Sequence, residues 1–166
     1  MRAKPVKELI IIGLTVLSVV FLGYQGSDYF NRSIMGMLLG DTSGAYTVRY
    51  DSKTDVEGYI ENGQKMMRCI VRWKVTDQNG NPVSGVELLE DVDYDSQGWT
   101  TLGTSDANGI VEDIFVLSWS SGYTETFTQW VKIKGYPDSD KIKAKWKWTC
   151  NDTWSEENPG TLTKLE

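Results

Sequence analysis

The residues best equipped for chemistry in this chain are two cysteines, Cys69 and Cys150, a carboxylate run from Glu90 to Asp95, and seven tryptophans. Histidine is absent, which removes the side chain that most often serves as general base and metal ligand near neutral pH. No G-x-S-x-G nucleophile turn occurs. Adjacent carboxylates such as Glu112 and Asp113 point to opposite faces of a strand and cannot act as a pair. Catalysis is therefore not expected, nor is any cofactor.

Asp91, Asp93 and Asp95 are the candidates for a hard cation such as calcium. An EF-hand loop needs glycine at its sixth position, but counting from Asp91 the sixth residue is Ser96 and Gly98 comes eighth. The alternative is a solvated acidic loop. The two thiols, far apart in sequence, make no zinc motif. Indole rings stack on sugars; Trp73, Trp146 and Trp148 share faces with core residues, whereas Trp99, Trp119, Trp130 and Trp154 are less constrained, with Trp119, within Ser118-Trp119-Ser120-Ser121-Gly122, the candidate for exposure.

These residues sit on elements that the hydropathy pattern exposes. From Met67 to Val75 the odd positions Met67, Cys69, Val71, Trp73 and Val75 are apolar. From Lys141 to Cys150 the even positions Ile142, Ala144, Trp146, Trp148 and Cys150 are apolar, against Lys141, Lys143, Lys145 and Lys147. Period-two alternation marks half-buried strands. Both cysteines fall on the buried side, so in an oxidising compartment a Cys69–Cys150 disulfide is expected. Closing a loop of about 80 residues, it would contribute roughly 4 to 5 kcal/mol. The four lysines form a solvated face, guard a sheet edge against pairing, or contact a partner.

Further strands are expected at residues 45–51, 83–89, 99–104, 110–119 and 126–134. Turn signals lie between them at 77–80, 106–109 and 136–139, the first two ending in Asn-Gly. About seven short strands predict an antiparallel β-sandwich. The stretch from Val75 to Val86 (VTDQNGNPVSGV), followed by Thr104 to Gly109 (TSDANG), resembles bacterial immunoglobulin-like repeats of invasin-type adhesins and carboxypeptidase regulatory-like (transthyretin-like) domains. That resemblance implies an immunoglobulin-like sandwich used as spacer, adhesion module or accessory subunit.

The N-terminus supplies an address. Leu9 to Gly23 is apolar apart from one Thr and one Ser, and it follows Arg2, Lys4 and Lys7. About 15 residues span only roughly 22 Å, so Tyr24, Tyr29 and a snorkelling Lys7 are needed to cross a hydrocarbon core about 30 Å thick. The basic flank stays in the cytoplasm and the rest is exported. A cleaved signal peptide is the rival, but small residues do not precede a cut at the required spacing. Glu8 at the head of the apolar run, with Ala3 before it, also resembles the start of type IV pilins and archaellins, which implies a processed filament subunit. Ile34, Met37 and Leu38 would share one face of a continuing helix and offer a protein contact.

The expected organisation is thus a membrane-spanning and juxtamembrane segment over residues 1–40 and one exported domain over 41–166, mainly β. That domain carries 13 Lys and Arg against 21 Asp and Glu, which excludes nucleic acid as a natural partner. Asn31 and Asn151 head N-x-S/T sequons. Partners are membrane lipid, through Leu9 to Gly23, and other protein subunits, with a homo-oligomer possible. The function expected is a non-catalytic accessory or structural subunit of a membrane or cell-surface complex, with a pilin-like subunit or a glycan- or protein-binding adhesion module as alternatives.

Overall fold

The protein's structure, a computed structural model, describes residues 45–166. The apolar run Leu9 to Gly23, the stripe of Ile34, Met37 and Leu38, and Asn31 lie outside the described residues. Among the described residues no helix is long and apolar enough to cross a membrane. The described residues form nine strands: β1 (Tyr46–Lys53), β2 (Glu57–Glu61), β3 (Gln64–Asp77), β4 (Glu87–Val92), β5 (Thr100–Thr104), β6 (Ile110–Ser118), β7 (Thr124–Ile133), β8 (Ile142–Cys150) and β9 (Gly160–Lys164).

All pairings are antiparallel, and they make two sheets. In the first, β3 is the hub: β1 and β2 pair along one side of it, end to end, and β6 along the other. The second runs β5-β4-β7-β8-β9. The alternation read from the sequence sets the faces. Met67, Cys69, Val71, Trp73 and Val75 on β3 are completely buried, and Ala144, Trp146, Trp148 and Cys150 on β8 meet them from the opposite sheet in one core. Phe115 and Phe127 cross edge to face at 5.2 Å between the sheets.

The mainly β expectation therefore holds, with two strands more than foreseen. β2 joins β3 through Asn62 and Gly63, both at positive φ, the signature of a tight two-residue hairpin. β9 comes from the tail and inserts Leu162 into the core, while Leu165 stays exposed.

The disulfide is a correction. Cys69 and Cys150 are both buried but free. Phase placed them on facing surfaces, yet it could not fix the rung. The Cys69 thiol donates to the Thr54 carbonyl at 3.3 Å. The β3 residue that reaches the Cys150 end is Met67: a Cβ on Gly160, which pairs with Cys150, would lie 3.1 Å from the Met67 sulfur and 3.0 Å from the Cys150 Cα.

Two Asp-x-Asn-Gly turns hold one end of the sandwich. Asp77 Oδ1 accepts the N–H groups of Asn79 and Asn81, and Asp106 Oδ1 accepts those of Asn108 and Ile110. The Asn81 side-chain amide also donates to Asp77 Oδ2, and it and the backbone bonds hold Asp77 below the usual aspartate range, as the Ile110 and Asn108 N–H groups do for Asp106. The turns also meet. Val75 N–H donates to Gly109 O, and a Cβ on Gly109 would stand 2.4 Å from the Val75 carbonyl.

Gly109 and Gly80 share a positive φ, but nothing lies near Gly80. Gly80→Ala is expected to cost about 1 kcal/mol from backbone strain alone, and Gly109→Ala about 3 kcal/mol or more because backbone must also shift. Urea denaturation of both variants measures the difference. In the same assay an added thiol reductant is expected to leave the midpoint unchanged, since no disulfide contributes.

Candidate functional site

Polar residues at inward positions are costly unless partnered, and three of them converge between the sheets. Glu90 on β4, Asp113 on β6 and Gln129 on β7 each occupy the inward phase of their strand, next to Leu88, Phe115 and Phe127. Gln129 is fully buried. Its amide nitrogen donates to Asp113 Oδ2 at 2.6 Å and to Glu90 Oε2 at 2.9 Å, while its carbonyl accepts the indole N–H of Trp146 at 3.2 Å. One amide therefore ties three strands of one sheet to a carboxylate on the other. The Trp73 indole nitrogen is buried without a hydrogen-bond partner in good geometry, though it sits close enough to Asp113 to favour its charge.

Burial dominates the electrostatics here. Asp113 is pushed up to about 7, first by desolvation and then by the Glu90 charge, with Gln129 and Trp73 pulling the other way. Burial also raises Glu90. Tyr94 lies over the node with its ring edge to face on Phe127 at 5.4 Å, and burial, followed by the charges of Glu90 and Asp113, raises its phenol. Two carboxyl groups that share one buried amide join the sheets at this point. This node was not foreseen from the sequence. Its signal was nonetheless present, because Asp113 and Gln129 both stand in phase with core residues.

The acidic run divides. Asp91 belongs to β4 and pairs with Trp130, the Asp93 N–H donates to Thr128 O, and Asp95 Oδ1 accepts the Gln97 N–H. Among the described residues no three histidine, cysteine or acidic side chains gather as a metal-binding group. Trp119 is half-buried: its N–H donates to Pro159 O, its ring crosses Trp154 edge to face at 5.7 Å, and the Lys65 ammonium lies over both rings. Asn151 uses its side-chain amide on Asn158 O and Oδ1, so a glycan on that nitrogen would break both bonds.

The lysine row does not guard an edge. β8 is interior, flanked by β7 and β9, and β9 is the outer strand. Lys143, Lys145 and Lys147 instead line the solvent face of the five-stranded sheet. Register sets Thr126 and Thr163 on either side of Lys147, Thr128 beside Lys145, and Trp130 beside Lys143. Lys143 reaches Glu166 at 3.5 Å, and Lys141 lies over the Trp130 ring at 5.6 Å. No ion pair engages Lys145 or Lys147 among the described residues. By contrast, Lys132 pairs with Asp138 and Lys134 with Glu87.

Compared with known protein families, curated proteins and solved structures, the chain matches none.

The buried node makes stability depend on pH in a stated direction. Asp113 keeps its proton in the folded chain up to about pH 7 and loses it near pH 4 when unfolded. Between those values the folded state holds more protons, so stability falls as pH rises, by roughly 4 kcal/mol at most. Carboxyls held low by hydrogen bonds, such as Asp77 and Asp138, are charged in both states above about pH 5 and do not contribute in that window. Urea midpoints taken from about pH 5 to pH 8 are expected to decline for the wild type. Asp113→Asn is expected to flatten that decline and to be the more stable protein at pH 8.

Proposed function

We propose that this chain is a membrane-anchored, extracytoplasmic immunoglobulin-like module that serves as a non-catalytic structural or accessory subunit of a membrane or cell-surface assembly. The order of pairing supports the fold reading: β3 pairs with β6 in one sheet while β4 pairs with β7 in the other. This is the crossed connectivity of immunoglobulin-like sandwiches. The two motifs that carry the resemblance support it too, because they bond to each other. Ser105 Oγ donates to Val83 O and accepts the Val86 N–H, and Gly85 N–H donates to Ser105 O.

The observation that carries the functional reading is where the side chains go. The interior is filled by tryptophans and aliphatics, and its carboxyls are bound to Gln129. What remains for function is the outside, above all the broad lysine and threonine face of the five-stranded sheet. The basic, then apolar, N-terminal pattern supports an anchored and exported chain.

Mild-detergent extraction of the full chain from its native membrane, followed by mass spectrometry, tests the proposal. Partner subunits in constant ratio, with Met1 retained, are the expected outcome. A chain that elutes alone contradicts the accessory role, and Lys4 as first residue favours the pilin-like alternative.

A further inference from the structure

The face around Lys145 and Lys147 has a composition unusual for a protein interface and well suited to another kind of partner. Lysine is depleted from the cores of protein interfaces, where aromatic residues concentrate; here ammonium groups stand among threonine hydroxyls. Side chains along β8 repeat about every 6.8 Å on this face, and the neighbouring strands lie about 4.8 Å to each side. Thr126 and Thr128 line one flank, and Thr161 and Thr163 the other. Both lysines are half-buried, Lys147 between Thr126 and Thr163 and Lys145 between Thr128 and Leu165, so less side-chain freedom is lost when the heads engage a ligand.

Charge adds a direction. The chain is net negative at −6, and among the described residues most other cations are engaged: Arg68 with Glu57, Arg72 with Glu112, Lys134 with Glu87, and Lys65 over Trp119. Lys145 and Lys147, adjacent like charges on one strand, have no carboxylate within 4.0 Å among the described residues. A self-paired dimer through this face would set lysine against lysine. A membrane would meet mainly ammonium and hydroxyl groups there, with Leu165 and Trp130 at the margin.

We propose that the outer face of the five-stranded sheet binds a linear anionic polysaccharide, its acid groups spaced along Lys145 and Lys147 and its hydroxyls on the flanking threonines. This deepens the proposed function by naming a ligand class for its contact face, and it rests on that reading. At physiological salt, fields are screened beyond about 8 Å, so the acidic remainder of the domain does not prevent a local contact.

The test is binding of the full chain, in mild detergent, to immobilised polygalacturonate, dextran sulfate, neutral dextran and single-stranded DNA, and to anionic phospholipid vesicles. Retention on one or both acidic polysaccharides but not on neutral dextran is expected. Lys145→Gln with Lys147→Gln is expected to weaken it at least tenfold and to abolish most of its salt dependence, with an unchanged melting temperature. Thr126→Val with Thr163→Val is expected to weaken binding while leaving the salt slope in place. No retention, or equal retention of the lysine variant, overturns the proposal. So does binding to DNA or vesicles as tight as to the polysaccharides, or a threonine variant that binds like the wild type. Co-purifying subunits together with no polysaccharide binding would leave the accessory role standing while removing this ligand.

Discussion

Everything in the described fold hangs on β3. It is 14 residues long, enough for two short strands to share one of its sides while β6 takes the other. Its five completely buried inward side chains from Met67 to Val75 form one wall of the core. Because strand side chains alternate strictly, a one-residue slip would expose all five and bury Arg68, Arg72 and Lys74. The register of three neighbouring strands is fixed by that penalty.

Against this apolar wall, the Asp113, Gln129 and Glu90 node sets charge-bearing groups between the two sheets. Such a node adds less to stability than a well-packed apolar cluster would, and its value lies in specifying geometry. Gln129 can satisfy both carboxyls and Trp146 only when β4, β6, β7 and β8 stand in their observed register. The same strict alternation that buries the node turns Lys145 and Lys147 outward, so one pattern assigns both the interior that joins the sheets and the surface available to a partner.

Strand identity was legible wherever alternation was long and amphipathic, as in β3 and β8, and the two Asp-x-Asn-Gly turns were legible from turn chemistry. β2 was missed because Glu57 to Glu61 is short and polar, although Asn62-Gly63 marks its hairpin. β9 was missed because Pro159-Gly160 reads as loop and its five residues offer a single apolar side chain, Leu162, to mark an inward phase. The lysine row suggested an edge, but an edge depends on whether a later strand pairs with it, and β9 is that strand. Likewise the phase of Cys69 and Cys150 told which face each occupies, whereas a disulfide needs matching positions along the strands, set here by Met67. Asp113 and Gln129 were legible in phase, yet polar residues in phase with a core are easily discounted as local exceptions.

The central claim is that this is an exported module acting through the lysine and threonine face of its larger sheet. A membrane-impermeant amine reagent applied to intact cells, before and after extraction of the protein, tests it most directly. The account predicts labelling of Lys74, on the opposite sheet, in both cases, and of Lys145 and Lys147 only after extraction. Absence of any label on intact cells, or equal labelling of all three lysines before extraction, would contradict it.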